Sequence, residues 1–168
     1  MPASNRFRTC QRDNAFQFSE KFAMSTGLAV FDTTVQQSNE WLKAIEARLQ
    51  PCGRSQAYGA FRAVTHVLRD RLPMEGVLGL SAQLPILLRG VFLEGWRPGD
   101  GPTNIRHPST LAEAVEALLP SDFPREGLGA ARAVLQVLAE RLDAGEVQKL
   151  LAYLPASLRP LWEPEPWP

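Results

Sequence analysis

GAFRAVTHVLRDRLPMEGVLGLSAQLPILLR, residues 59–89, returns seventy residues later as GAARAVLQVLAERLDAGEVQKLLAYLPASLR, residues 129–159. Without a gap, sixteen of the thirty-one positions coincide, where a helix-rich composition gives about three by chance. Arg62/Arg132, Arg71/Arg141, Pro85/Pro155 and Arg89/Arg159 coincide along with the apolar residues. The same register pairs Ala44, Glu46, Ala47 and Leu49 with Ala114, Glu116, Ala117 and Leu119. This reads as tandem duplication of one unit. A residue kept in both copies is expected to serve the shared fold, and one found in a single copy is free to serve something else.

Within the copies the apolar residues recur on helical steps of three and four. Tyr58, Phe61, Val64, Leu68 and Leu72 form one face, and Val77, Leu80 and Leu84 continue it after Pro73, a residue suited to the first turn of a helix. Val64/Val134, Leu68/Leu138, Leu72/Leu142, Val77/Val147, Leu80/Leu150 and Leu84/Leu154 are the expected core pairs. Pro85 restarts the chain into ILLRGVFLEGW, which reads as the most buried helix. Upstream, Leu28, Phe31, Val35, Leu42, Ile45 and Leu49 mark one face of a long amphipathic helix, interrupted at Ser38. Downstream, PSTLAEAVEALL, SDFPREGLGAARAVLQVLAERL, DAGEVQKLLAYL and PASLRPLW repeat the four-helix order.

The predicted fold is therefore all-α: a tandem duplication of a four-helix unit, with two pseudo-equivalent helical lobes packed into one globule. The first lobe covers residues 24–96, the second 108–162, with a linker at 97–107 and a tail at 163–168. Residues 1–23 show no period, and Met24 opens the ordered pattern. They read as a disordered or wrongly assigned extension.

The chain has 168 residues with 18 basic and 18 acidic side chains. A formal net charge of zero provides no bulk attraction to nucleic acid or to an anionic membrane. The longest apolar stretch, residues 76–88, is too short to span a bilayer, and the N-terminus has no apolar signal core. A cytoplasmic location is expected, with neither nucleic acid nor membrane as partner. Cys10 and Cys52 stand apart without metal-ligand spacing and read as unpaired thiols.

The candidate sites each have a plainer reading. His66 shares a helix with Asp70 and could form an acid/base pair, but its copy is Gln136 and no second histidine stands at helical spacing. It reads as a partly exposed helix residue. Arg71/Arg141 stand where a cation complements a helix C-terminus, while Arg89/Arg159 follow a proline at helix starts and are expected to find a carboxylate. DAGE at 143–146 resembles a capping box. GLGAAR from Gly127 lacks both the preceding strand and the spacing of a dinucleotide loop. No catalytic residue, metal site or cofactor is read from the sequence. Single-copy polar residues gather only in the linker: Trp96, Arg97, Asp100, Asn104, Arg106 and His107, beside a helix start near Pro108 whose free N–H groups could help cup an anion.

FDTTVQQSNEWL (31–42), YGAFRAVTHVLRDRLP (58–73) and LSAQLPILLRGVFLEGWRP (80–98) resemble the bacterial family catalogued as domain of unknown function 2267. The resemblance covers nearly all of residues 24–162, departing in the N-terminal extension and at Phe92-Leu93, where an aromatic pair is common. It implies an all-helical, prokaryotic, cytosolic protein, and no reaction, cofactor or catalytic residue.

The residues name no reaction. The leading reading is a non-enzymatic protein-interaction or self-association module, with a protein partner or a homo-oligomer. The alternative is a small-anion or small-ligand binding protein, or an enzyme, with a site at the seam between the lobes. There the linker would roof a site contacted by Trp96, Arg97, Arg106 and His107. An exposed apolar patch favours the first reading, and a pocket lined by linker arginines the second.

Overall fold

A computed structural model describes residues 26–163. Residues 1–23, read above as an extension, lie outside the described residues, as does the tail beyond Glu163. Every regular element among the described residues is helical. In chain order these are α1 (Ala29–Arg48), α2 (Arg54–Arg71), α3 (Met74–Gln83), α4 (Ile86–Leu93), α5 (Pro108–Glu116), α6 (Gly127–Arg141) and α7 (Ala144–Tyr153). Two 3-10 segments, Pro98–Asp100 and Ala156–Trp162, complete the order.

The element ends follow the sequence register. Both bounds of α3 lie seventy residues before those of α7, and α2 and α6 end at Arg71 and Arg141. Leu72 and Leu142 leave the helix in extended conformation, as do Leu84 and Leu154 before their prolines. An extended residue before proline avoids the clash with the ring, so each Leu-Pro step ends one helix and aims the next. Pro73 itself caps α3 from outside rather than opening its first turn. The starts agree less well. SDFPRE at 121–126 precedes α6 instead of belonging to it, and the segment after Pro155 is a 3-10 helix containing Pro160, whose missing N–H removes a helical hydrogen bond.

Helix α2 lies at the centre, burying Ala57, Ala60, Phe61, Ala63, Val64 and Leu68 among others, and packs on α1, α4, α5 and α6. Helix α6 packs on α5, α1, α2 and the C-terminal 3-10 segment, while α3 packs on α7. One hydrophobic core runs through all of these elements. Of the expected core pairs every member is buried except Val147, which is half-buried.

Two expectations of burial fail. Helix α4 is not the most buried element: only Leu88 and Phe92, one turn apart, are fully buried, with Val91 and Leu93 half-buried against the core, whereas Ile86 and Leu87 are 59% and 47% exposed. A short helix at the edge of the bundle buries one stripe and leaves the rest of its apolar surface outside. In α1, Trp41, Leu42 and Ile45 are buried and Leu49 follows them, but Leu28 and Phe31 project beyond the core and are exposed.

Candidate functional site

The last turn of α2, the end of α4 and the linker converge on Arg69. Its side chain is 7% exposed. Nε donates to Asp70 Oδ1 at 2.7 Å, and Nη1 donates to the carbonyls of Phe92 and Glu94, each at 2.9 Å. These carbonyls end α4 and lack helical partners, so the guanidinium caps one helix from the side of another. Asp70 also holds the linker, its carbonyl accepting from the Thr103 N–H at 2.7 Å. Gly95 and Gly101, at φ +67° and +65°, let the chain leave α4 and fold back over this corner. Between them lies a cleft of about 200 Å³ whose lining includes Arg69, Asp70, Leu72, Trp96, Arg97 and Thr103.

This arrangement divides the linker residues. Trp96 and Arg97 line the cleft. Arg106 and His107 stand elsewhere, both exposed. The Arg106 Nε donates to Asn104 at 2.8 Å, its carbonyl accepts from the Ser157 hydroxyl, and His107 is the residue preceding α5. The cleft rests against α2, α3 and the linker, on the first half of the chain. Sequence reasoning passed over Arg69, whose signal lies in the register: its counterpart is Ala139, so a large cation in a buried helix belongs to one copy alone.

His66 is buried, at 7% exposure, rather than partly exposed. Its Nε2 lies 2.7 Å from the Val91 carbonyl, which makes it a donor tying α2 to α4. Burial holds its pKa below the ordinary value of 6.5, and the neighbouring Arg69 and Arg62 push the same way, against the Val91 hydrogen bond and Glu94. Gln136, its counterpart, likewise donates to a carbonyl, that of Glu163, at 2.9 Å. The shared duty is structural.

The repeated arginines also serve the scaffold. Arg89 Nη2 donates to the carbonyls of Ala82 and Leu84 at 3.1 and 3.2 Å, and Arg159 Nε to that of Leu154 at 3.4 Å. Their partners are the freed carbonyls of the preceding helix end, where a carboxylate was expected. Arg71 reaches the Ile105 carbonyl at 3.0 Å, and Arg141 reaches that of Glu40 at 3.3 Å while lying over the Trp41 ring. The DAGE motif is half a capping box. Asp143 accepts from the Gly145 N–H at 2.9 Å, but the Asp143 N–H is taken by Gln83 from α3, and Glu146 is buried against Gly79.

A second surface stands out by composition. Met74 and Leu78 lie one turn apart on α3, Ile86 and Leu87 open α4, and all four are exposed. Their register partners are Ala144, Gln148, Ala156 and Ser157, also exposed. Cys52, by contrast, is buried and free, its thiol pKa raised by burial. No group of residues that could hold a metal is present among the described residues, nor is any helix there long and apolar enough to cross a membrane.

Among the described residues these features define an all-helical protein with a capped helical scaffold, a polar cleft and exposed large apolar residues on α3 and α4. The chain belongs to the family of uncharacterized conserved proteins DUF2267, which it matches over residues 38–163. Comparison with curated proteins finds no match.

Proposed function

We propose that the chain is a non-enzymatic self-association module, built by tandem duplication into lobes at 24–96 and 108–162, in which the first copy has turned a helical surface into a docking face. The duplication is supported by the offset of seventy residues at both bounds between α3 and α7. It is supported too by the packing, in which equivalent helices meet each other, α2 on α6 and α3 on α7, as in a two-fold arrangement.

The observation that carries the docking face is the contrast between copies. Where the second has Ala144, Gln148, Ala156 and Ser157 in solvent, the first has Met74, Leu78, Ile86 and Leu87. The scaffold therefore does not require large apolar residues at these positions. Together they expose on the order of a few hundred Å², the size of the largest apolar patch on a typical monomer, which is often functional. A second copy is the favoured occupant because the chain has zero formal net charge, so two copies meet without long-range repulsion. The area falls short of the roughly 800 Å² per partner of a stable complex. The dimer is accordingly weak, with a Kd on the order of 100 μM.

Sedimentation equilibrium tests this reading. The weight-average mass should rise from monomer toward dimer across that range, and the Leu78→Asp/Ile86→Asp variant should remain monomeric with an unchanged melt. A wild-type monomer at millimolar concentration, or a variant that still associates, contradicts it.

A further inference from the structure

We propose that the cleft under the linker is a binding site for a small organic monocarboxylate with an apolar body about the size of one ring. The cleft shares Met74 with the self-association face, but its argument rests on other residues, Arg69, Trp96 and Arg97.

Arg48, Arg54 and Arg62 are engaged by carboxylates, and Arg71, Arg89, Arg141 and Arg159 by carbonyls. Arg97, exposed at the cleft, has no hydrogen-bond or ion-pair partner among the described residues. In the cleft wall, Arg69 uses Nε and Nη1 and leaves Nη2 without a partner among the described residues. Among the described lining residues, two guanidinium groups face one carboxylate, that of Asp70, an excess of one positive charge. A monoanion restores the balance. Carboxylate fits the planar donor fork of Arg97 with two parallel hydrogen bonds.

Size and lining select the rest of the ligand. A volume of about 200 Å³ exceeds the roughly 150 Å³ that accommodates benzene, leaving room for one ring and its carboxylate. Trp96, packed on its other side against the core, and Leu72 supply apolar wall. An aromatic ring beside an apolar body adds contact energy beyond area alone.

The site is also confined to one copy. Arg69 has Ala139 as its counterpart, so the shared fold does not require the buried cation, and the linker stands between the repeats. The thermodynamic burden of a buried guanidinium is offset by the three acceptors it finds, and the same placement keeps positive potential beneath the cleft.

Benzoate is the probe, titrated at constant ionic strength and low protein concentration, and followed by the indole N–H of Trp96 and the Nε–H of Arg97. Saturable shifts of both are expected, with a Kd on the order of 1 mM, as suits a ligand of this size. Arg97→Gln should weaken binding by about tenfold or more through loss of the charge-assisted pair, with an unchanged ligand-free melt because Arg97 is exposed. Benzamide and inorganic phosphate are the controls, and both should bind far more weakly than benzoate. Equal binding of benzamide would show that the carboxylate is not recognised. Equal binding of phosphate would show a site that reads charge alone. Either result, non-saturable shifts, or benzoate affinity unaffected by Arg97→Gln overturns the proposal.

Discussion

Gly127 opens α6 against the backbone of Ala112 in α5, so closely that a Cβ on Gly127 would overlap the Ala112 carbonyl oxygen. The Gly127 N–H is meanwhile capped by Glu116 Oε1 at 2.8 Å. The missing side chain permits the approach, and the carboxylate satisfies a donor that the helix leaves free. Glu46, the register partner of Glu116, performs a related task by pairing with Arg54 at the start of α2.

Gly127→Ala is therefore expected to destabilise the fold by about 1–3 kcal/mol, because the obstacle is backbone and cannot rotate away. Two residues on, Gly129 has open space around its Cβ position, and Gly129→Ala should stabilise by about 0.5–1 kcal/mol through helix propensity. Urea melts of the two variants distinguish close approach from a general intolerance of alanine. Equal signs would contradict the packing described for Gly127.

Leu84 and Leu154 are both buried, at 2% and 4% exposure. Truncation of either to alanine should cost about 2–5 kcal/mol through lost burial and a residual cavity. A loss under about 1 kcal/mol for both in urea melts would remove them from the core.

His66 gives stability a dependence on acid. Its folded pKa lies below 6.5, so its contribution is complete above 6.5. As pH falls below that value the unfolded chain takes up the proton first, and stability declines until the folded pKa has been passed. Glu94, whose pKa is lowered by its hydrogen bond and ion pair with Arg62, adds a loss of the same sign at lower pH, below 4.5. His66→Gln keeps a donor of the kind found at Gln136 but cannot titrate. Unfolding free energies at several pH values should slope less steeply in the variant just below 6.5. An identical slope would assign the dependence to other groups.

The helical class and the bounds of α3 and α7 were legible because they are set by buried leucines at helical spacing and by Leu-Pro steps, both local signals. Burial of the ends was not. ILLRGVFL is apolar apart from Arg89, and only packing on α1, α2 and α3 decides that Leu88 and Phe92 turn inward while Ile86 and Leu87 stay in solvent. Arg69 is similarly opaque in sequence, since its acceptors Phe92 and Glu94 lie more than twenty residues away and arrive only with the fold. Of the linker residues, Trp96 and Arg97 reach the cleft because Gly95 turns the chain beside them, whereas Arg106 and His107 are carried off toward α5. Spacing along a chain could not separate the two pairs.

Amide resonances followed during dilution test self-association through α3 and α4 at residue level. From millimolar protein downward, concentration-dependent shifts should centre on Met74, Leu78, Ile86 and Leu87, and the register partners Ala144, Gln148, Ala156 and Ser157 should stay still. Shifts that centre on the second set, or a spectrum unchanged over the whole range, would contradict the account.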